Sequence, residues 1–169
     1  MRPPFFLPLS FHLLTPRALA TLTAAAVVAG CVSLKGPEAL NRADELTVEG
    51  RYDDAIAAYQ EHIQDRLGDG NRPEWENPYF YLLNIGDIEL KRDNPEKALA
   101  RYEEAEQRGV ALSLVADRYR AVATWHEERH ELQKALEVLN TYRLKDPLIF
   151  DSMLDRIARE LTQSEIPEK

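Results

Sequence analysis

The 169-residue chain has a single cysteine, Cys31, so it cannot form an intrachain disulfide in any compartment. It has no excess of basic residues, with 21 Lys and Arg against 29 Asp and Glu. Only Arg2 and Arg17 of the basic residues precede residue 31, and every acid follows it from Glu38 onward. The chain from Cys31 therefore carries 19 basic and 29 acidic side chains, a net charge of −10. Such a balance disfavours nucleic acid, whose binding rests on Lys and Arg neutralising phosphates. It also disfavours electrostatic adsorption to anionic lipid. There is no glycine-rich phosphate loop, no G-x-S-x-G nucleophile elbow and no strand-like alternation. No Gly/Ser linker divides residues 36–163, and one domain is expected.

What is present begins with a leader. Residues 18–30, ALATLTAAAVVAG, form a 13-residue apolar run that is too short to span a bilayer but fits the core of a signal peptide, with Arg2 and Arg17 ahead of it. Small residues close the run before the lone cysteine. Val28-Ala29-Gly30-Cys31 resembles the lipobox of bacterial lipoproteins. That resemblance implies a lipid on the Cys31 thiol, cleavage between Gly30 and Cys31, and acylation of the new amine. Several acyl chains on one residue give stable anchoring. Val32 follows the cysteine, which in Gram-negative lipoproteins favours the outer membrane, facing the periplasm. An ordinary cleaved signal, or an N-terminal anchor that happens to contain a cysteine, is the alternative. The expected organisation is a signal peptide over 1–30, a lipidated tether over 31–35, a helical domain over 36–163 and a flexible tail over 164–169.

Behind the leader, apolar residues recur at helical spacing. GRYDDAIAAY (50–59), DNPEKALARY (93–102) and HELQKALEVL (130–139) align, with Ala55, Ala98 and Ala135 in register beside Tyr59, Tyr102 and Leu139. Small residues also coincide upstream at Ala43, Gly86 and Ala123. The spacings fit a helix–turn–helix unit of about 34 residues with two short inserts. This pattern resembles the tetratricopeptide repeat (TPR). The resemblance implies an all-α, TPR-like α-solenoid of about three repeats, at 36–69, 79–112 and 116–149. It places Gly50, Asp93 and His130 in tight turns that favour a left-handed backbone, and Pro147 at the close of the third repeat.

The family pattern is not met everywhere. Arg42 occupies a position usually large and apolar. Leu82 and Tyr119 stand where the family has Trp, and His62 and Tyr142 replace a small residue that only Ala105 supplies. A plain helical bundle is the alternative. Phe150, Met153, Leu154, Ile157 and Leu161 predict a capping helix over about 149–163, as repeat arrays need a polar outer face at their ends.

Residues 68–78, GDGNRPEWENP, read as a loop. Its Trp75 either packs over the first inter-repeat junction or contacts a partner. His126-Glu127-Glu128-Arg129-His130 matches the zinc-peptidase pattern H-E-x-x-H. The repeat register, however, puts His130 in a turn, which breaks the helix that would align the two ligands. No metal, cofactor or catalytic residue is expected. The runs Glu103-Glu104 and Glu127-Glu128 read as solvated helix faces, and His62 as packed or on the surface.

The TPR resemblance implies a concave face lined by the first helix of each repeat, suited to a peptide or protein segment. Its candidates are Leu40 and Asp44, then Phe80, Leu83, Asp87 and Leu90, then Asp117, Arg120, Thr124 and Glu127. The expected partner is an envelope protein or peptide segment. The expected function is a membrane-anchored scaffold or adaptor in envelope assembly or maintenance. A self-associating structural lipoprotein and a zinc-dependent peptidase are the alternatives from other classes.

Overall fold

Three turns built on one plan divide the chain. In each, a residue with positive φ follows a helix: Gly50 at 74°, Asp93 at 60° and His130 at 58°. The next amide reaches back to the carbonyl five residues before it, as Arg51 to Leu46, Asn94 to Glu89 and Glu131 to His126, each at 2.9 Å. This is the Schellman closure, which satisfies carbonyls that a helix end leaves open. Gly109 at 81° makes a fourth, with the Val110 amide on the Ala105 carbonyl at 3.0 Å. A helix restarts two residues after each of the first three closures.

The computed structural model describes residues 37–164, with side chains from 38 to 163. The leader, Gly30 and Cys31, the tether at 31–35 and residues 165–169 lie outside the described residues. The helices are α1 (Pro37–Val48), α2 (Tyr52–Gly68), α3 (Tyr81–Lys91), α4 (Pro95–Gln107), α5 (Leu112–Glu128), α6 (Leu132–Tyr142) and α7 (Pro147–Ser164). Single 3₁₀ turns at Pro78–Phe80 and Arg143–Lys145 precede α3 and α7. The described residues are all-helical and contain no strand. None of their helices is long and apolar enough to cross a membrane. Pro37, Pro95 and Pro147 each open a helix, where a missing N–H costs nothing.

Short turns make α1/α2, α3/α4 and α5/α6 antiparallel hairpins, and each next hairpin packs on the one before, with α7 against α6. The core runs through all of them. Ala43, Ala55, Ala98, Ala123, Ala135 and Leu139 are fully buried. At Gly86 an added Cβ would lie 2.2 Å from Tyr102 Cε1, so α3 and α4 approach closely only because glycine is there. The Tyr119 ring stacks on Tyr142 with centroids 3.7 Å apart and planes at 7°. Tyr119 and Tyr142 thus form one contact. His62 in α2 is buried with its ring edge-on to Tyr81 at 4.6 Å.

The helix α5 starts at Leu112, ahead of the repeat start expected near 116. The Gly109 closure ends α4 and no breaker stands between Val110 and Val115, so the helix resumes at once. The last helix, expected from about 149, starts at Pro147, because proline is favourable at the first helical position.

Candidate functional site

The α5 sequence carries Asp117, Ala121, Thr124 and Glu128 at helical spacing, one continuous stripe. In the structure this stripe floors an open groove of about 550 Å³ walled by Leu90 from α3 and by Met153 and Arg156 from α7. Arg120 and Trp125 also line it. Arg120 Nη2 donates to Asp117 Oδ1 at 2.8 Å, with the guanidinium side chain still 39% exposed, so its charge is oriented without being withdrawn from solvent. Arg156 donates to both Glu127 carboxylate oxygens, one bond at 2.8 Å, and so ties α7 to α5 along the groove wall. The guanidinium holds the Glu127 carboxyl below its ordinary range. Beneath the groove rim, the Arg129 guanidinium lies 3.7 Å from the Trp125 ring centre and fixes the indole by a cation–π contact.

Four of the sequence candidates therefore converge: Leu90, Asp117, Arg120 and Thr124. The others do not. Leu83 has no exposed surface and belongs to the core, because its face of α3 turns toward the neighbouring helices. Asp87 is engaged by two partners, the Tyr102 hydroxyl at 2.8 Å and Arg118 Nε at 2.9 Å. Phe80 sits away from the groove, in a second pocket of about 410 Å³ with Trp75, Tyr81, Val110 and Leu114. Asp44 accepts a hydrogen bond from the Tyr59 hydroxyl, and Leu40 is half-buried against the core.

Trp75 is 84% exposed, so it does not pack over the first junction. Polar contacts hold its loop instead. Arg66 makes a two-pronged pair with Glu76 at 2.6 and 2.5 Å, and Asn77 Nδ2 donates to the Arg108 carbonyl at 3.1 Å. The Arg66 pairing keeps the Glu76 carboxyl below its usual range.

The H-E-x-x-H segment is divided between two elements. His126 is buried at the end of α5, with Nδ1 2.6 Å from Glu131 Oε2. His130 is exposed in the turn, with positive φ, and Glu127 is bound to Arg156. A histidine at a helix end and one in the left-handed turn after it do not present a ligand pair on one helical face. Among the described residues no group of three metal-ligating side chains converges.

The acidic run Glu103-Glu104 is not simply solvated. Glu103 accepts the Tyr142 hydroxyl at 2.5 Å, and Glu106 accepts the Tyr119 hydroxyl at 3.0 Å. Burial first, and then these carboxylates, push both phenols above their ordinary range, so they remain neutral donors. Sequence reasoning missed Ala121, Trp125, Glu128, Met153 and Arg156 as groove residues, and it named Glu127, which does not line the groove. The α5 stripe was legible, but the approach of α7 to it was not.

No protein-family model matches the sequence, and no curated protein matches it.

Proposed function

We propose that this protein is a lipid-anchored, TPR-like scaffold of the bacterial envelope that holds an extended segment of a partner protein in the groove between α3, α5 and α7. The observation that carries the reading is the convergence of Leu90, Arg120 and Thr124 in that groove. An open trough crossing three helices, with an apolar wall, an exposed cation and carboxylates, fits an extended chain better than a compact small molecule. The repeat reading is supported by three turns with the same left-handed closure, and by buried alanines and a tyrosine or leucine in register after each. Anchoring is supported by the Val28-Ala29-Gly30-Cys31 sequence behind a signal-like leader. With Val32 after the cysteine, we place the protein on the inner leaflet of the outer membrane, facing the periplasm.

Self-association through an uncapped end is the weaker reading. The outer face of α7 presents Asp155, Arg159, Glu160 and Thr162 to solvent, a polar surface of the kind that terminates a helical array.

Affinity capture from intact envelopes with the lipidated protein and its Arg120→Glu variant tests the scaffold reading. A partner held by the wild type and lost by a folded variant supports it. Equal recovery by both removes the groove as the binding surface.

A further inference from the structure

Large apolar side chains exposed to solvent are not scattered over the described residues. They are Val48, Trp75, Phe80, Leu112, Leu114, Leu144 and Leu148. Because successive helices run antiparallel, the first turns of α1, α3, α5 and α7 share one edge of the domain with the last turns of α2, α4 and α6. The connections 69–80, 108–111 and 143–146 form that edge. Asn77 bonds to the Arg108 carbonyl across it, and Lys145 pairs with Glu106. Every exposed large apolar residue except Val48 lies in these connections or in the helical turn that follows one. Trp75 and Leu148 are both 84% exposed and Leu144 is 86% exposed, so neither core packing nor a neighbouring helix accounts for them. The opposite edge, made of the turns at 49–51, 92–94 and 129–131, has only Val48 beside it.

The same edge is where the described chain begins, at Pro37. Six steps separate Pro37 from Cys31, and at 3.3–3.6 Å per residue they reach at most about 20 Å. A lipid on Cys31 would hold this edge within that distance of the headgroups, and the local concentration of bilayer would make even a weak apolar contact effective. The net acidity of the domain is not an obstacle here. Residues 69–78, 108–111 and 143–146 together hold four acidic and four basic side chains, and the helix ends beside them add Glu38, Asp65, Glu104 and Glu106 against Arg66, so the contact rests on the apolar side chains and the tether and not on attraction to anionic lipid. An indole and several leucines suit the interfacial layer, where an aromatic ring can bury its body and keep its N–H wet.

We propose that the edge carrying Trp75, Phe80, Leu112, Leu114, Leu144 and Leu148 rests in the interfacial layer of the membrane that holds the Cys31 anchor. This orients the domain with its interhelical turns at Gly50, Asp93 and His130 pointing away from the bilayer. It leaves the α3–α5–α7 groove open from the side. The inference rests on the anchored reading above.

The chain has two tryptophans, Trp75 and Trp125, which makes a selective probe available. Mature lipidated protein carrying Trp125→Phe is reconstituted into vesicles of phosphatidylethanolamine and phosphatidylglycerol, with and without brominated acyl chains. The expected result is flotation with the vesicles, a blue shift of Trp75 emission and its loss to bromine. The reciprocal Trp75→Phe protein, which reports Trp125 in the groove, keeps its emission. Flotation with unquenched Trp75 overturns the edge assignment and leaves anchoring standing. Failure to float, with the Cys31 peptide at its unmodified mass, overturns anchoring and the edge assignment with it. A blue shift that follows protein concentration without bromine quenching assigns the edge to a second copy of the chain and also overturns the proposal. Should Trp125→Phe lose helix content, hydrogen exchange on the wild type decides. Slower exchange at 72–80 and 108–114 on vesicles than in detergent-free delipidated form supports the edge, and equal exchange contradicts it.

Discussion

The Tyr102 hydroxyl donates to Asp87 Oδ1 at 2.8 Å, from α4 across to α3, and Tyr59 makes the same bond to Asp44 one hairpin earlier. Each pair is 15 residues apart. In the third hairpin the corresponding residues are Leu139 and Thr124, so donor and acceptor are replaced together. That frees Thr124 to line the groove, whereas Asp87 is committed to Tyr102 and Arg118. The groove thus opens where the cross-helix bond is missing.

Loss of that bond has a measurable cost. Tyr102→Phe keeps the ring but leaves Asp87 with Arg118 alone. A destabilisation of about 1 kcal/mol is expected, the net value of an ordinary hydrogen bond, because Asp87 keeps Arg118 and partial exposure to water. Urea unfolding measures it, and an unchanged midpoint would show that the bond contributes nothing net.

Gly86 is constrained more severely. A methyl group there would overlap the Tyr102 ring, which has no exposed surface into which to retreat. Gly86→Ala is expected to destabilise by about 1–3 kcal/mol through overpacking. In a Tyr102→Leu background, which copies the Leu139 of the third hairpin, the same change costs less. A double-mutant cycle with no coupling would contradict direct contact as the cause. The first hairpin tolerates Ala43 in the presence of Tyr59, so the tight approach belongs to α3 and α4 alone.

The attachment of α7 depends on pH. Arg156 lowers the Glu127 carboxyl below its ordinary range, and Arg143 does the same to Asp151 within the α7 junction. A carboxylate whose pKa is lower folded than unfolded stabilises the fold above the unfolded value. That contribution fades as pH falls toward and through the folded value. With an ordinary Glu at about 4.3, α7 is expected to loosen below about pH 4. Trp125 emission, sensitive to the groove wall that Arg156 completes, reports the change. Glu127→Gln is expected to weaken the acid transition, and an identical profile would exclude this pair as its source.

Trp75 contributes little to the fold. At 84% exposure its removal leaves no cavity, so Trp75→Ala is expected to shift stability by less than about 0.5 kcal/mol. A loss of several kcal/mol would mean that the indole packs against the domain after all.

These contrasts show what the sequence made legible. The helical pattern, the registered alanines and the turn residues were readable because local sterics decide them. Gly50, Asp93 and His130 all take the left-handed backbone expected at their positions. The start of α5 at Leu112 lies ahead of the repeat start expected near 116, because nothing interrupts the helix there. Leu83 and Phe80 look alike as apolar residues on one helical segment, yet one is core and the other opens onto an edge pocket. The difference lies in where α2 and α5 pack, which pattern alone does not specify. Of the two readings of Trp75, packing over a junction or contact with a partner, its 84% exposure excludes the first. Its loop is pinned by Arg66 and Asn77, and the indole is left to solvent. The groove was half legible: its α5 stripe follows helical spacing, while Met153 and Arg156 join it only through the docking of α7.

The central claim is that a partner segment lies in the groove. Site-specific photo-cross-linking in intact envelopes tests it directly, with the reactive group at Thr124 in the groove and, as control, at Lys134 on the exposed side of α6. The account predicts a defined adduct from Thr124 that Arg120→Glu abolishes, and none from Lys134. Adducts from Lys134 alone, or a Thr124 adduct indifferent to Arg120→Glu, would contradict it.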